Sequence, residues 1–238
     1  KSGRNQCKLF DPALLSSLDN KLLMQEDLTK ALSKKNELYM MYQPKVRANG
    51  MLIGAEALIR WDHPTKGSVS PAEFIPLAEE SGLINDLGYW ITRTVIEQIK
   101  NWHEIGIEVP QIAINLSAAQ LNDEKFINFL LSKLEDFGLP YSAIECELTE
   151  SGLLQDEERA IVHMKALKKS GISIALDDFG TGYSSLSYLQ KLPLSVIKID
   201  KSFVDNIFEN KSQELIRSII QIAQTMSLVT VAEGTEAK

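Results

Sequence analysis

Short apolar runs alternate with amphipathic stretches along most of this chain, and that alternation constrains the fold more than any other feature. Three of the amphipathic stretches end at Gly106, Gly138 and Gly171, which suit left-handed helix C-caps. Alternating strands and helices predict a parallel sheet with helices packed outside it. The predicted strands cover residues 38–46, 52–61, 112–117, 144–149, 172–178, 196–200 and 228–233.

Seven strand signals within 238 residues indicate an α/β fold, a (β/α)8 TIM-like barrel with its eighth strand absent from this chain. A further helix is predicted over residues 11–34, where Leu14, Leu18 and Leu22 recur at helical spacing. No apolar run approaches the roughly 20 residues that a membrane-spanning helix needs. The distant cysteines Cys7 and Cys146 predict reduced thiols in a cytoplasmic domain.

Polar side chains lie at or near the ends of six of the seven predicted strands. Because the carboxyl ends of barrel strands meet at one face, where barrel active sites lie, we expect these side chains to surround one site. A strand-end acid taken alone is more often the N-cap of the next helix, but six strand ends in register favour a functional site. The residues are Glu56 and Arg60, Asn115, Glu147 and Glu150, Asp177 and Asp178, Lys198 and Asp200, and Glu233.

The alternation of side chains along a strand predicts which of these residues point the same way. Glu56, Leu58 and Arg60 share one face of their strand, because residues two apart lie on the same side. Lys198 and Asp200 share one face of theirs for the same reason. We therefore expect each set to point inward together.

The acids predict a metal centre. Several carboxylates in a site of low dielectric repel one another unless cations neutralise them. Oxygen ligands without cysteine or histidine suit Mg²⁺ or Mn²⁺, and adjacent Asp177 and Asp178 can hold or bridge two such ions. A pair of ions is the usual device for attack on a phosphodiester. Lys198 among cations would have its charged form disfavoured, which suits a general base or a residue that orients water.

Motifs in a fixed order along the chain resemble those of the EAL phosphodiesterase family. The resemblance runs from about residue 38 to the end of the chain. The motifs are Tyr-Gln-Pro at 42–44, Glu-Ala-Leu at 56–58, Asn-Leu-Ser at 115–117, Glu-Leu-Thr-Glu at 147–150, Asp-Asp-Phe-Gly-Thr-Gly at 177–182, Lys-Ile-Asp at 198–200 and Ala-Glu-Gly at 232–234.

The resemblance implies a barrel of the EAL type that hydrolyses cyclic di-GMP to linear 5′-pGpG with two divalent cations. It implies that Lys198 is the base or orients water, and that Glu150 steadies the 177–182 loop, which links metal binding to the contacts of a homodimer. Together with Glu56 they form the expected catalytic set. The expected metal ligands are Glu56, Asn115, Glu147, Asp177, Asp178 and Glu233, and the expected substrate contacts are Gln43, Leu58, Arg60 and Asp200.

The first residues carry a second, shorter resemblance. Lys-Ser-Gly-Arg-Asn at 1–5 is similar to the ending of a GGDEF, or diguanylate cyclase, domain. We therefore predict a GGDEF remnant at 1–10, a linker helix at 11–34 and a C-terminally truncated EAL domain at 35–238. The parent protein would carry a covalently linked GGDEF domain, and a membrane anchor elsewhere in it remains open.

Two alternatives to the enzyme remain at this point. A receptor that binds cyclic di-GMP without hydrolysis predicts missing metal ligands, whereas none of the inferred ligands is substituted; the absent eighth strand keeps this alternative open. An unrelated metal-dependent barrel hydrolase is the second. The net charge of -7 argues against a nucleic-acid polymer as partner, since such surfaces are basic.

Overall fold

The computed structural model describes residues 12–34, 36–150, 157–180 and 186–235. The chain divides into two compact units, the first formed by Lys1–Tyr39 with Arg60–Leu83 and the second by Met40–Ile59 with Ile84–Lys238. No helix in the described ranges is long and apolar enough to cross a membrane.

The first unit contains two helices and a short hairpin. Helix α1 (Pro12–Ser33) covers the predicted lead-in helix, and α2 (Pro71–Ser81) begins at Ser70, whose hydroxyl accepts the Ala72 N–H. Strand β3 (Gly67–Val69), which the sequence did not predict, pairs antiparallel with the end of strand β2 (Leu52–His63). Trp61 is fully buried here, edge-on to Phe74 at 5.5 Å between ring centroids.

The second unit contains most of the sheet, whose path runs β1-β2-β4-β5-β6-β7-β8 with β3 off this path. Seven strands therefore lie along the path within the described ranges, as predicted. Its strands besides β2 are β1 (Leu38–Val46), β4 (Ile112–Asn115), β5 (Ile144–Thr149), β6 (Ser173–Phe179), β7 (Val196–Ile199) and β8 (Val229–Ala232). Its helices are α3 (Ile84–Glu104), α4 (Ala118–Leu121), α5 (Glu124–Asp136), α6 (Glu157–Ser170), α7 (Leu186–Leu189), α8 (Lys201–Asp205) and α9 (Asn210–Thr225).

All pairings from β2 to β8 along the path are parallel. Strands β4, β5 and β7 are buried almost throughout, as expected of parallel strands covered on both faces. Gly106, Gly138 and Gly171 all have positive φ, which confirms the predicted left-handed helix ends.

Strand β1 departs from the all-parallel expectation. Residues 47–51 form a tight turn in which Arg47 N–H donates to Met51 C=O at 2.9 Å and Gly50 N–H donates to Arg47 C=O at 2.8 Å. A connection this short cannot carry a parallel crossover, so β1 runs antiparallel to β2.

Two predicted strands end early because a polar residue caps the next helix. Ser117 forms a capping box with Gln120 at the start of α4, so β4 stops at Asn115. Asp200 accepts the Ser202 N–H at the start of α8, so β7 stops at Ile199.

Candidate functional site

The strand register of the second unit brings polar residues to one edge of the sheet. Asn115 lies opposite Glu147 in the β4–β5 pair, and Thr149 lies opposite Asp177 in the β5–β6 pair. Beyond β8, the Glu233 N–H donates to Ile199 C=O at 3.1 Å, which places Glu233 beside the end of β7. The carboxyl ends of neighbouring parallel strands therefore meet, as predicted.

Lys198 lies at the centre of this edge, with only 2% of its surface exposed. Its ammonium group contacts carboxylates from β2, β5 and β6 and from the residue that follows β8. The distances from Nζ are 3.2 Å to Glu56 Oε2, 2.8 Å to Glu147 Oε2, 3.0 Å to Asp177 Oδ2 and 2.7 Å to Glu233 Oε1. Four acids predicted to converge are thus held together by one lysine.

Glu56 and Asn115 form a second contact within the cluster. Asn115 Nδ2 donates to Glu56 Oε1 at 2.9 Å, so both oxygens of Glu56 have partners. The burial pattern of β2 alternates, with Ala55 and Ala57 buried and Glu56 and Leu58 half-buried. Glu56 and Leu58 therefore share one face of the strand, as predicted, and Arg60 continues the same alternation of burial.

A β-bulge shapes the end of β6. Leu176 and Phe179 are three residues apart, but their partners Ile197 and Ile199 on β7 are only two apart. Within the bulge, Asp178 adopts a left-handed φ of 53°, and its N–H donates to Asp177 Oδ1 at 2.9 Å. A bulge interrupts the strict alternation of faces, so adjacent residues need not point to opposite sides.

Three carboxylates next to the bulge could hold a metal ion. Asp177, Asp178 and Glu233 each place one oxygen within 4.8 Å of the others. Carboxylate donors suit hard divalent cations, and the amide oxygen of nearby Asn115 would suit them too. The donor set therefore fits the predicted type of metal.

Burial raises the pKa of Glu147 to about 7, although Lys198 and Lys45 work against the shift. Burial also raises the pKa of Glu233, against its hydrogen bond from Lys198. Burial raises the pKa of Asp178, with added repulsion from Asp177. Protons are therefore retained more readily on these acids than on exposed ones, which is the behaviour of a crowded anionic site.

The carboxylates around Lys198 favour its charged form. Burial works to lower the pKa of Lys198, but the attraction of Glu147, Asp177 and Glu56 outweighs it, so the pKa is raised. Burial works to raise the pKa of Glu56, but the attraction of Lys198 and the hydrogen bond from Asn115 outweigh it, so the pKa is lowered. The protein groups alone therefore favour the charged lysine, which donates hydrogen bonds, because the attraction of the carboxylates outweighs the cost of burial.

Sequence reasoning missed two members of the cluster, Lys45 and Glu145. Lys45 Nζ lies 2.8 Å from Glu145 Oε1 and 2.6 Å from Glu147 Oε1. Strand alternation places Glu145 and Glu147 on one face of β5, and it places Lys45 on the same face of β1 as Gln43. It does not show that these two faces meet. Two buried acids on one face require a cation, and Lys45 supplies it.

The remaining predicted residues are less closely joined to the cluster. Glu150 is buried directly after β5, and residues 181 and 182 of the loop that it was predicted to steady lie outside the described residues. Gln43 is exposed on β1. Asp200 caps α8 through the Ser202 N–H at 3.0 Å, the ordinary role of a strand-end acid, yet it lies close enough to Asp178 to raise that residue's pKa.

Comparison with known families gives one match across most of the chain. Residues 25–238 match the EAL domain model. The chain is 39% identical over its full length to the cyclic di-GMP phosphodiesterase PdeR of Escherichia coli, and 37% identical over 99% of its length to MucR of Pseudomonas aeruginosa, named a bifunctional diguanylate cyclase/cyclic di-GMP phosphodiesterase. It spans only 36% and 35% of these two relatives.

A solved structure agrees with the sequence comparison. The PaMucR phosphodiesterase in its c-di-GMP complex superposes with a TM-score of 0.85 at 38% identity, over 91% of this chain and 88% of the other. The predicted fold class, an α/β TIM-like barrel of the EAL type, is confirmed.

Proposed function

The chain belongs to the EAL domain family, and we propose from this premise that it hydrolyses cyclic di-GMP to linear 5′-pGpG. The observation that carries the proposal is the convergence of Glu56, Glu147, Asp177 and Glu233 on Lys198. The names of PdeR and MucR give the substrate. The family match makes the alternative of an unrelated barrel hydrolase wrong.

Two divalent cations, Mg²⁺ or Mn²⁺, are the proposed cofactors. Their proposed ligands are the carboxylates of the cluster and the Asn115 amide oxygen, since these groups supply only oxygen donors. When bound, such cations lower the pKa of an attacking water and stabilise charge on phosphoryl oxygens. The ligands are Glu56, Asn115, Glu147, Asp177, Asp178 and Glu233.

Lys198 is proposed to orient the attacking water by donating a hydrogen bond to it. This role follows from its charge, which the surrounding carboxylates favour. The proposed cations would add positive charge nearby and so favour the neutral lysine, the form that can act as a base. Glu150 is proposed to hold the loop after Asp178 from its buried position.

Substrate contacts are proposed for residues that flank the cluster. Leu58 lies two residues after Glu56 on one face of β2, and Gln43 lies on β1 two residues before Lys45, which reaches Glu147. Arg60 continues the face of Leu58 and is proposed to bind the second phosphate, because a guanidinium can pair with it in bidentate fashion. Asp200 is proposed as a further contact.

The decisive experiment is turnover of cyclic di-GMP by this chain with Mg²⁺ or Mn²⁺, followed by separation of the products. We expect metal-dependent pGpG, lost in Glu56→Ala and kept in Glu104→Ala, which removes an exposed acid of α3. Tight binding of cyclic di-GMP without turnover would instead favour the receptor alternative.

The rest of the parent protein is also a matter of proposal, because the chain spans about a third of the curated relatives above. We propose a linked GGDEF domain, a homodimer and a cytoplasmic location for this domain. The bifunctional name of MucR supports the first. Analytical ultracentrifugation of the chain would test the dimer, and a single species at the monomer mass would contradict it.

A further inference from the structure

Two different lysines contact Glu147, one at each carboxylate oxygen. Its side chain is buried, with 1% exposed. Lys198 contacts Oε2 at 2.8 Å, and Lys45 contacts Oε1 at 2.6 Å. Lys198 also contacts three further carboxylates, whereas Lys45 contacts Glu147 and one other acid, Glu145.

Lys45 reaches Glu147 from a strand that is not its neighbour. The sheet path places β2 and β4 between β1, which carries Lys45, and β5, which carries Glu147. The contact therefore crosses the interior of the second unit. A side chain that spans this distance restricts the orientation of the carboxylate it holds, because the carboxylate is anchored from a second direction.

Glu145 offsets the charge that Lys45 brings to the site. Glu145 Oε1 lies 2.8 Å from Lys45 Nζ, and both side chains are largely buried. An uncompensated ammonium beside Glu147 would repel a divalent cation, whereas a lysine paired with an additional acid contributes no net charge. The pair can thus orient Glu147 without opposing the binding of a cation.

We propose that Lys45, balanced by Glu145, is a positioning residue that fixes the carboxylate of Glu147 for metal binding. The inference rests on the proposed function only in taking Glu147 as a metal ligand. Groups that orient metal ligands in this way are typically worth about 10- to 100-fold in metal affinity or activity.

The test uses the double variant Lys45→Met/Glu145→Gln, which removes the pair without changing the net charge. Mn²⁺ binding is titrated without substrate by the electron paramagnetic resonance signal of free Mn²⁺. We expect affinity to fall about tenfold or more. At saturating Mn²⁺, KM for cyclic di-GMP should stay unchanged while kcat falls.

The matched control is Lys133→Met/Asp136→Asn, which removes a surface pair of the same unit with Nζ to Oδ2 at 2.7 Å. It should bind Mn²⁺ like the wild type. A Lys45→Met/Glu145→Gln protein that melts at lower temperature but keeps wild-type Mn²⁺ affinity would show a merely structural pair and overturn the proposal.

Should the double variant not fold, Glu145→Gln replaces it, since this near-isosteric change leaves the Lys45 charge uncancelled. Weaker Mn²⁺ binding is expected, and unchanged affinity overturns the proposal. The two proposals fail separately. Wild-type Mn²⁺ binding without turnover refutes the phosphodiesterase alone, whereas turnover with unaltered Mn²⁺ affinity in the double variant refutes only the role of Lys45.

Discussion

The two compact units use buried polar groups in opposite ways. In the first unit, His63 is 6% exposed and each ring nitrogen has a partner: Nδ1 accepts the N–H groups of Thr65 and Lys66, and Nε2 donates to Asp27 Oδ2 at 3.2 Å. Asp27 is paired in turn with Lys30. Each charge has a nearby counterpart, so this network needs no ligand.

Among the described residues, the cluster of the second unit brings together more acids than lysines. Two lysines, Lys45 and Lys198, contact five acids, so the contacting carboxylates outnumber the ammonium groups by three. Such an excess persists in a buried site when cations complete it. The balance of charge therefore distinguishes the His63 network, which we expect to contribute only to stability, from the Lys198 cluster, which we expect to bind cations.

The largest effect is expected from Lys198→Met. Removing the shared lysine leaves its carboxylates uncompensated, which should destabilise the metal-free protein by about 3–5 kcal/mol. Loss of the residue proposed to orient the attacking water should lower kcat by roughly 100-fold or more. Denaturant unfolding and turnover measure the two effects, and a variant of wild-type stability without metal would contradict the description of Lys198 as the neutralising cation.

Adding metal to the wild-type chain tests directly whether the excess of carboxylates in the second unit binds cations. A cation that binds only the folded state at 100 times its Kd should raise the free energy of unfolding by about 2.7 kcal/mol. Thermal melts with Mn²⁺ and with a chelator measure this. Equal melting temperatures would mean that the acids of the second unit do not form a metal site.

His63→Ala should have a smaller effect that is confined to stability. The variant leaves the Thr65 and Lys66 N–H groups without their acceptor and removes one of two partners of Asp27, which should cost about 1–3 kcal/mol. Mn²⁺ affinity should not change. Weakened Mn²⁺ binding in a folded His63→Ala protein would break the distinction between the two networks.

The smallest effect is expected at a pair on the surface of the first unit. Lys21 Nζ lies 2.9 Å from Glu80 Oε2, and both side chains are more than half exposed. Glu80→Gln should therefore change stability by no more than about 1 kcal/mol. A larger loss in denaturant unfolding would show that exposed charge contributes as much as the buried networks.

Much of the fold could be predicted from periodicity, because strand–helix alternation fixes which strands are parallel neighbours. The strands at 38–46 and 144–149 match the structure at both ends. β3 was missed, since three residues are too few to show alternation. The direction of β1 was missed because it depends on the length of the turn at 47–51 and not on the strand's own pattern.

The acids that meet at Lys198 could be predicted because each lies on or directly after a strand of the same sheet. Lys45 could not be predicted in the same way, because its partners lie 100 and 102 residues away and two strands separate them in the sheet. Alternation gives the face on which a side chain lies, but it does not give the residue that the side chain meets across the interior.

The bulge at the end of β6 has a consequence for protein engineering. In a regular strand, consecutive side chains point to opposite faces, so an Asp-Asp pair would present only one carboxylate to a site. The extra residue opposite β7 and the left-handed Asp178 change that geometry, and both aspartates place an oxygen near Glu233. A designer who moves this acid pair to another scaffold must therefore transplant the backbone irregularity along with the two side chains.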